Sequence, residues 1–97
     1  MTIDAQTVVA AASQQVSSEV GGETVILELE RGVYYGLQGV GPRVWELLRE
    51  PGTVARIRDA LVAEFEVEPE RCERDLLDLL GTMMARGLVE VRGGQAP

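Results

Sequence analysis

The clearest periodicity in the chain lies between residues 25 and 37. Val25, Leu27 and Leu29 interleave with Ile26, Glu28 and Glu30, and Val33, Tyr35 and Leu37 repeat the alternation after a polar break. Period two marks a strand with one buried face, so a β-hairpin is predicted over about 24–38. Glu30, Arg31 and Gly32 form the expected three-residue loop. The last residue of such a loop is left-handed, a conformation that Gly32 accepts without steric cost. In this register Leu29 faces Val33, Leu27 faces Tyr35 and Val25 faces Leu37. Cross-strand partners share a face, so these six form the expected buried side.

Upstream, residues 7–12 (TVVAAA) are a candidate first strand, although alanine favours helix. Residues 14–22 are polar and small, end in Gly-Gly, and read as a long connection into the hairpin.

Downstream the period lengthens to that of a helix. Gly39, Val40, Gly41 and Pro42 open a first helix, where a proline costs no hydrogen bond. Val40, Val44, Leu47 and Leu48 keep one face, Trp45 borders it, and Pro51-Gly52 ends it. Thr53 is the expected cap of a second helix over 54–64, in which Val54, Ile57, Leu61, Val62 and Phe65 hold the period with one polar break at Arg58. Pro69 starts a third helix over about 69–86. Its core stripe is Cys72, Leu76, Leu79, Leu80 and Met83. Leu77 and Met84, with Gly81 between them, form a second stripe beside it, wider than burial on one side requires. Gly87 is the expected left-handed stop, and residues 88–91 (LVEV) a short closing strand.

The predicted fold is α+β and winged-helix-like: a small N-terminal antiparallel β-sheet of three strands packed on three α-helices. It is one domain over 1–97, with an ordered core of about 6–91 and a tail, RGGQAP, expected to fray.

Composition narrows the function. A hydrophobic content of 45% supports a core without metal or disulfide staples. The formal net charge is −7, with nine Lys and Arg scattered along the chain, which argues against nucleic acid as a partner. The single cysteine, Cys72, suits a reducing, cytoplasmic setting. MTIDAQ lacks the basic and apolar regions of a signal peptide, and no apolar run approaches the roughly 20 residues that cross a bilayer, so no membrane role is expected.

Candidate chemistry is sparse. There is no histidine, so the commonest general base and metal ligand are missing, and neither a zinc site nor any other metal or cofactor is expected. Gly36, Gly39 and Gly41 follow a hairpin strand and lack the Gly-Lys-Ser/Thr of a phosphate loop. Cys72 has no base in the sequence to activate it and reads as a small buried hydrophobe. Glu68, Glu70, Glu73, Asp75 and Asp78 read as a solvated face. No catalytic residue is assigned, and the chain is expected not to be an enzyme.

Two features point to binding. Tyr34 is directed away from the face of Val33 and Tyr35, either as a plain exposed aromatic or as a platform for a peptide side chain. The Leu77/Gly81/Met84 stripe is either ordinary packing or one wall of a groove whose other wall is the second hairpin strand. Methionine adapts to varied ligands, and glycine lets a backbone come close.

The series GVYYGLQGVG over 32–41, VWELL over 44–48, PGTV over 51–54, ALVAEFEVEP over 60–69, DLLDLL over 75–80 and RGL over 86–88 resembles the PqqD-like family. Gln38 stands where that family usually has Asn. The VYYGL strand and the acidic balance look more like the lasso peptide group than like PqqD itself. The resemblance implies a RiPP recognition element, a small domain that binds the leader of a ribosomally made precursor peptide as an added antiparallel strand. Carried onto this chain, the peptide-binding residues are Val33, Tyr34, Tyr35 and Leu37 on the strand, with Arg74, Leu77, Asp78, Gly81 and Met84 on the helix. The implied partners are the leader peptide, a cysteine-protease-like leader peptidase, and a cyclase that acts later. Three alternatives remain: a PqqD-type peptide chaperone for a radical SAM enzyme, a winged-helix transcription regulator, and a dimerisation domain whose open edge pairs with its own copy. The regulator needs a basic recognition helix, whereas Arg71, Arg74 and Arg86 sit among at least as many carboxylates.

Overall fold

The computed structural model describes residues 3–13, 15–21, 23–29, 32–37 and 39–93. The expected loop residues Glu30 and Arg31, Gln38 and the tail over 94–97 lie outside the described residues. In chain order the elements are β1 (Val8–Ala11), β2 (Gln15–Val20), β3 (Glu23–Glu28), β4 (Val33–Leu37), α1 (Gly41–Leu47), β5 (Gly52–Thr53), α2 (Val54–Phe65), α3 (Pro69–Ala85) and β6 (Val89–Gly93).

The strands form two three-stranded antiparallel sheets, β2-β3-β4 and β5-β1-β6, so the fold is the expected α+β arrangement with a second sheet added. Two expectations change. The 14–22 stretch is a strand rather than a connection: β2 pairs along its length with β3, from Gln15 opposite Glu28 to Val20 opposite Glu23. Its backbone supplies the pairing, and Ser17 and Ser18 stand exposed, so no apolar alternation marked it. Gly21, at φ 58°, makes the tight turn that the Gly-Gly dipeptide permits. The first strand does not join the hairpin. β1 lies between β5 and β6, with Ala11 opposite Val89 and Val9 opposite Val91.

The hairpin itself forms, one residue out of the expected register. Ile26 is opposite Tyr35, and Glu28 is opposite Val33, which leaves Leu29 outside the strand. A slip of one residue exchanges the faces of a strand. Ile26 is therefore the fully buried residue of β3, Val25 and Leu27 are half-buried, and Leu29 is 52% exposed at the turn. Residues 25–27 are apolar on both faces, so alternation alone could not choose between them. On β4 the expected face is kept: Tyr35 and Leu37 pack against the core. Gly32, at φ 67°, is left-handed as its place in the turn requires.

The helices follow their apolar spacing. Val44 and Trp45 of α1 and Leu48 at its C-cap are buried, which makes Trp45 a core anchor. Thr53 caps α2 by accepting a hydrogen bond from the Arg56 N–H at 3.1 Å. Thr53→Ala is expected to cost about 1 kcal/mol of stability, read as a lowered urea midpoint with unchanged slope. The polar break at Arg58 is an inter-helix tie, with its guanidinium 2.6 Å from Glu73 on α3. At the end of α3, Gly87 is left-handed at φ 75°, and the N–H groups of Gly87 and Leu88 donate to Met84 and Met83. The chain then turns into β6. Ile26, Val44, Leu48, Ile57 and Leu80, all fully buried, form the centre of the core between the hairpin sheet and the three helices.

Candidate functional site

The site is built from the outer edge of β4. Among the described residues β4 has one strand neighbour, β3, so one side of its backbone carries N–H and C=O groups with no strand pairing. Alternation divides its side chains. Tyr35 and Leu37 point inward and are half-buried, whereas Tyr34 points outward and is 69% exposed. Gly36 also faces outward, with open space where a Cβ would be. The end of the strand is held tightly: a Cβ on Gly41 would lie 3.0 Å from the Leu37 Cβ, so a larger residue at 41 would push Leu37 aside where α1 starts. Val33 belongs to the same strand.

Two observations bear on which flank of α3 is turned toward this strand. The Arg86 guanidinium sits over the Tyr35 ring, 5.2 Å from its centroid, in a cation–π contact. Val40, just past Leu37, shares a cavity of about 570 Å³ with Val44, Leu61, Leu76 and Leu79, and Glu66, Glu68, Arg71 and Asp75 also line it. Leu79 and Arg86 are seven residues apart, and Asp75 and Leu79 four, so these three share one flank. At 100° per residue, Leu77 and Gly81 lie about 160° around α3 from Leu79, and Met84 about 140°. Arg74 and Asp78 lie on the exposed outer side. The β4 half of the expected constellation is thus brought together. Arg86, at the C-cap of α3, reaches Tyr35, with Asp75 and Leu79 on the same flank, whereas the Leu77/Gly81/Met84 stripe lies on the other side of the helix. Leu77 and Met84 are half-buried against the core on the other side, and Gly81 is open to solvent. The sequence pattern places Leu79 in the core stripe and Asp75 on the solvated face. The available signal was Arg86, one heptad beyond Leu79.

Charge around the cavity is uneven. Arg71 and Asp75 are 3.8 Å apart and both exposed, a pair of little energetic consequence, and Glu66 and Glu68 add two further carboxylates. The Cys72 thiol, in the cavity wall, is pushed up from its ordinary value by burial and, less strongly, by the charge of Asp75. Less thiolate means slow chemistry at neutral pH. Cys72 is expected to resist a thiol-specific reagent in the folded protein and to label quickly in denaturant; fast labelling under native conditions would contradict its burial. Among the described residues no group of three or more His, Cys, Asp and Glu side chains could hold a metal ion, and no helix is long and apolar enough to cross a membrane.

Comparison with known proteins adds the following. The family model described as coenzyme PQQ synthesis protein D (PqqD) matches residues 23–89. A solved structure of TbiB1 in complex with the TbiA(beta) leader peptide is similar at 38% identity, with a TM-score of 0.78, and the match covers 91% of this chain and 99% of that one. A lasso peptide synthetase B1 complexed with its leader peptide has the same fold at 21% identity and a TM-score of 0.75, covering 84% and 96%. The PqqD truncation of Methylobacterium extorquens PqqCD shares the fold at 19% identity and a TM-score of 0.77, covering 92% and 95%. No significant match was found among curated proteins. With its match running from the start of β3 into β6, this chain belongs to the PqqD family.

Proposed function

We propose that this chain is a non-catalytic adaptor of lasso peptide biosynthesis. It binds the leader of a ribosomally made precursor peptide and delivers it to a separate leader peptidase. The observation that carries the reading is the unpaired edge of β4 beside the α3 flank that bears Leu79 and Arg86. The leader adds as a strand along Val33, Tyr34, Tyr35 and Leu37, and alternate side chains enter the space against α3. The relative that shares 38% of its residues was solved with a leader peptide bound, which supports this occupant. The chain works in the cytoplasm, where its single cysteine stays reduced.

The energetics suffice. A guest strand matching β4 would make four or five backbone hydrogen bonds of about 0.5–1.5 kcal/mol net each, and two or three buried apolar side chains would add about 1.5–3 kcal/mol each. Ordering a disordered peptide offsets a large part, which leaves binding in about the micromolar to nanomolar range, suited to reversible delivery. The test has two arms. Calorimetric titration with the leader segment of the precursor made beside this protein should show one-to-one binding in that range. Leader cleavage by the peptidase should then require this chain. No heat of binding removes the recognition role, and cleavage at full rate without the chain removes delivery.

A further inference from the structure

The cavity beside Val40 holds about 570 Å³, and the groups around it are not neutral. Its floor is apolar, from Val44, Leu61, Leu76 and Leu79, and Val40 and Val67 on its wall are 40% and 39% exposed, so apolar surface is left open to water. Three carboxylates, Glu66, Glu68 and Asp75, stand against one guanidinium, that of Arg71, which faces Asp75. We infer that this cavity is a specificity pocket for a large apolar side chain followed or preceded closely by a lysine or arginine. The inference rests on the proposed peptide-binding function and names what the site selects.

The apolar member fills the floor, where Leu79 and Leu76 give it contacts that water cannot. The cation stays at the mouth, close enough to Glu68 and Asp75 to gain from their charge and open enough to keep its own hydration. An acidic residue in the same place would meet repulsion. Rejection of acidic peptides therefore contributes as much to selectivity as attraction of basic ones. The protein's overall charge of −7 acts in the same direction at longer range.

A displayed library of random peptides, selected on the full chain, tests this directly. Enriched binders should carry Phe, Tyr, Trp, Leu or Met with Lys or Arg within two positions. Replacing the apolar residue by Ala in one such binder should weaken it about tenfold. Replacing its cation by Gln should weaken it about fivefold at low salt, and that loss should vanish on the Glu68→Gln/Asp75→Asn variant. Binders that are lost on Tyr34→Pro but show no apolar–cation pair overturn the pocket and leave the strand-docking function standing. Binders with the pair that still bind Tyr34→Pro keep the pocket and remove the strand. Enrichment of acidic peptides, or a cavity closed by a second copy of the chain and seen as concentration-dependent sedimentation, overturns the inference.

Discussion

Tyr34→Pro is expected to lower leader affinity by at least about 100-fold, with the helical circular dichroism signal unchanged. Proline has no N–H and fixes φ, so within β4 it removes a ladder bond and bends the strand away from a straight edge. An incoming strand draws most of its affinity from that edge, and losing two or three bonds of about 0.5–1.5 kcal/mol, with added strain, reaches this magnitude. The helices are held by Leu80, Ile57 and Val44, all fully buried, and do not depend on the outer side of β4. Tyr34→Thr is the control. It keeps a β-favouring backbone and discards the ring, so calorimetry should find it within about tenfold of the parent. If threonine is as damaging as proline, the exposed ring and not the backbone carries recognition.

Leu79→Ala and Leu77→Ala form a matched pair with opposite outcomes. Both leucines are half-buried on α3, and each truncation is expected to cost about 1–2 kcal/mol of stability. Of the two, only Leu79 lines the cavity that Val40, three residues past the end of β4, also lines. Its truncation should weaken leader binding about 30-fold, the equivalent of about 2 kcal/mol of lost apolar contact, whereas Leu77→Ala should leave affinity within about twofold. The reverse result would return the groove wall to the Leu77/Gly81/Met84 flank. Equal losses in both would point to a general loosening of α3.

The helices and their ends were legible in the sequence because their signals are local. Thr53 as a cap, Pro69 in a first turn and Gly87 as a left-handed stop each act within a few residues, and the structure has them in those roles. The hairpin was legible as an object. Its register was not, because β3 stops at Glu28 and leaves Leu29 out of the strand. β2 was invisible for a different reason: Ser17 and Ser18 face water on a strand fixed by its neighbour's backbone. The site divided the same way. Alternation turned Tyr34 outward and the resemblance proposed the β4 residues, whereas the α3 flank depends on where a distant helix crosses the hairpin. Leucines stand on both flanks of α3, so spacing alone did not choose between them; Arg86 over Tyr35 and the cavity that Val40 and Leu79 both line favour the Leu79 side.

The pairing of Ala11 with Val89 has a consequence for how the molecule comes into being. The middle strand of one sheet precedes all three helices in the chain, and β6, one of its two neighbours, follows them. Contacts this far apart in sequence close slowly, so the nascent chain passes through a stage in which β1 lacks its longer companion. Substitutions in β6 should therefore slow maturation of the whole domain even though they touch nothing near β4.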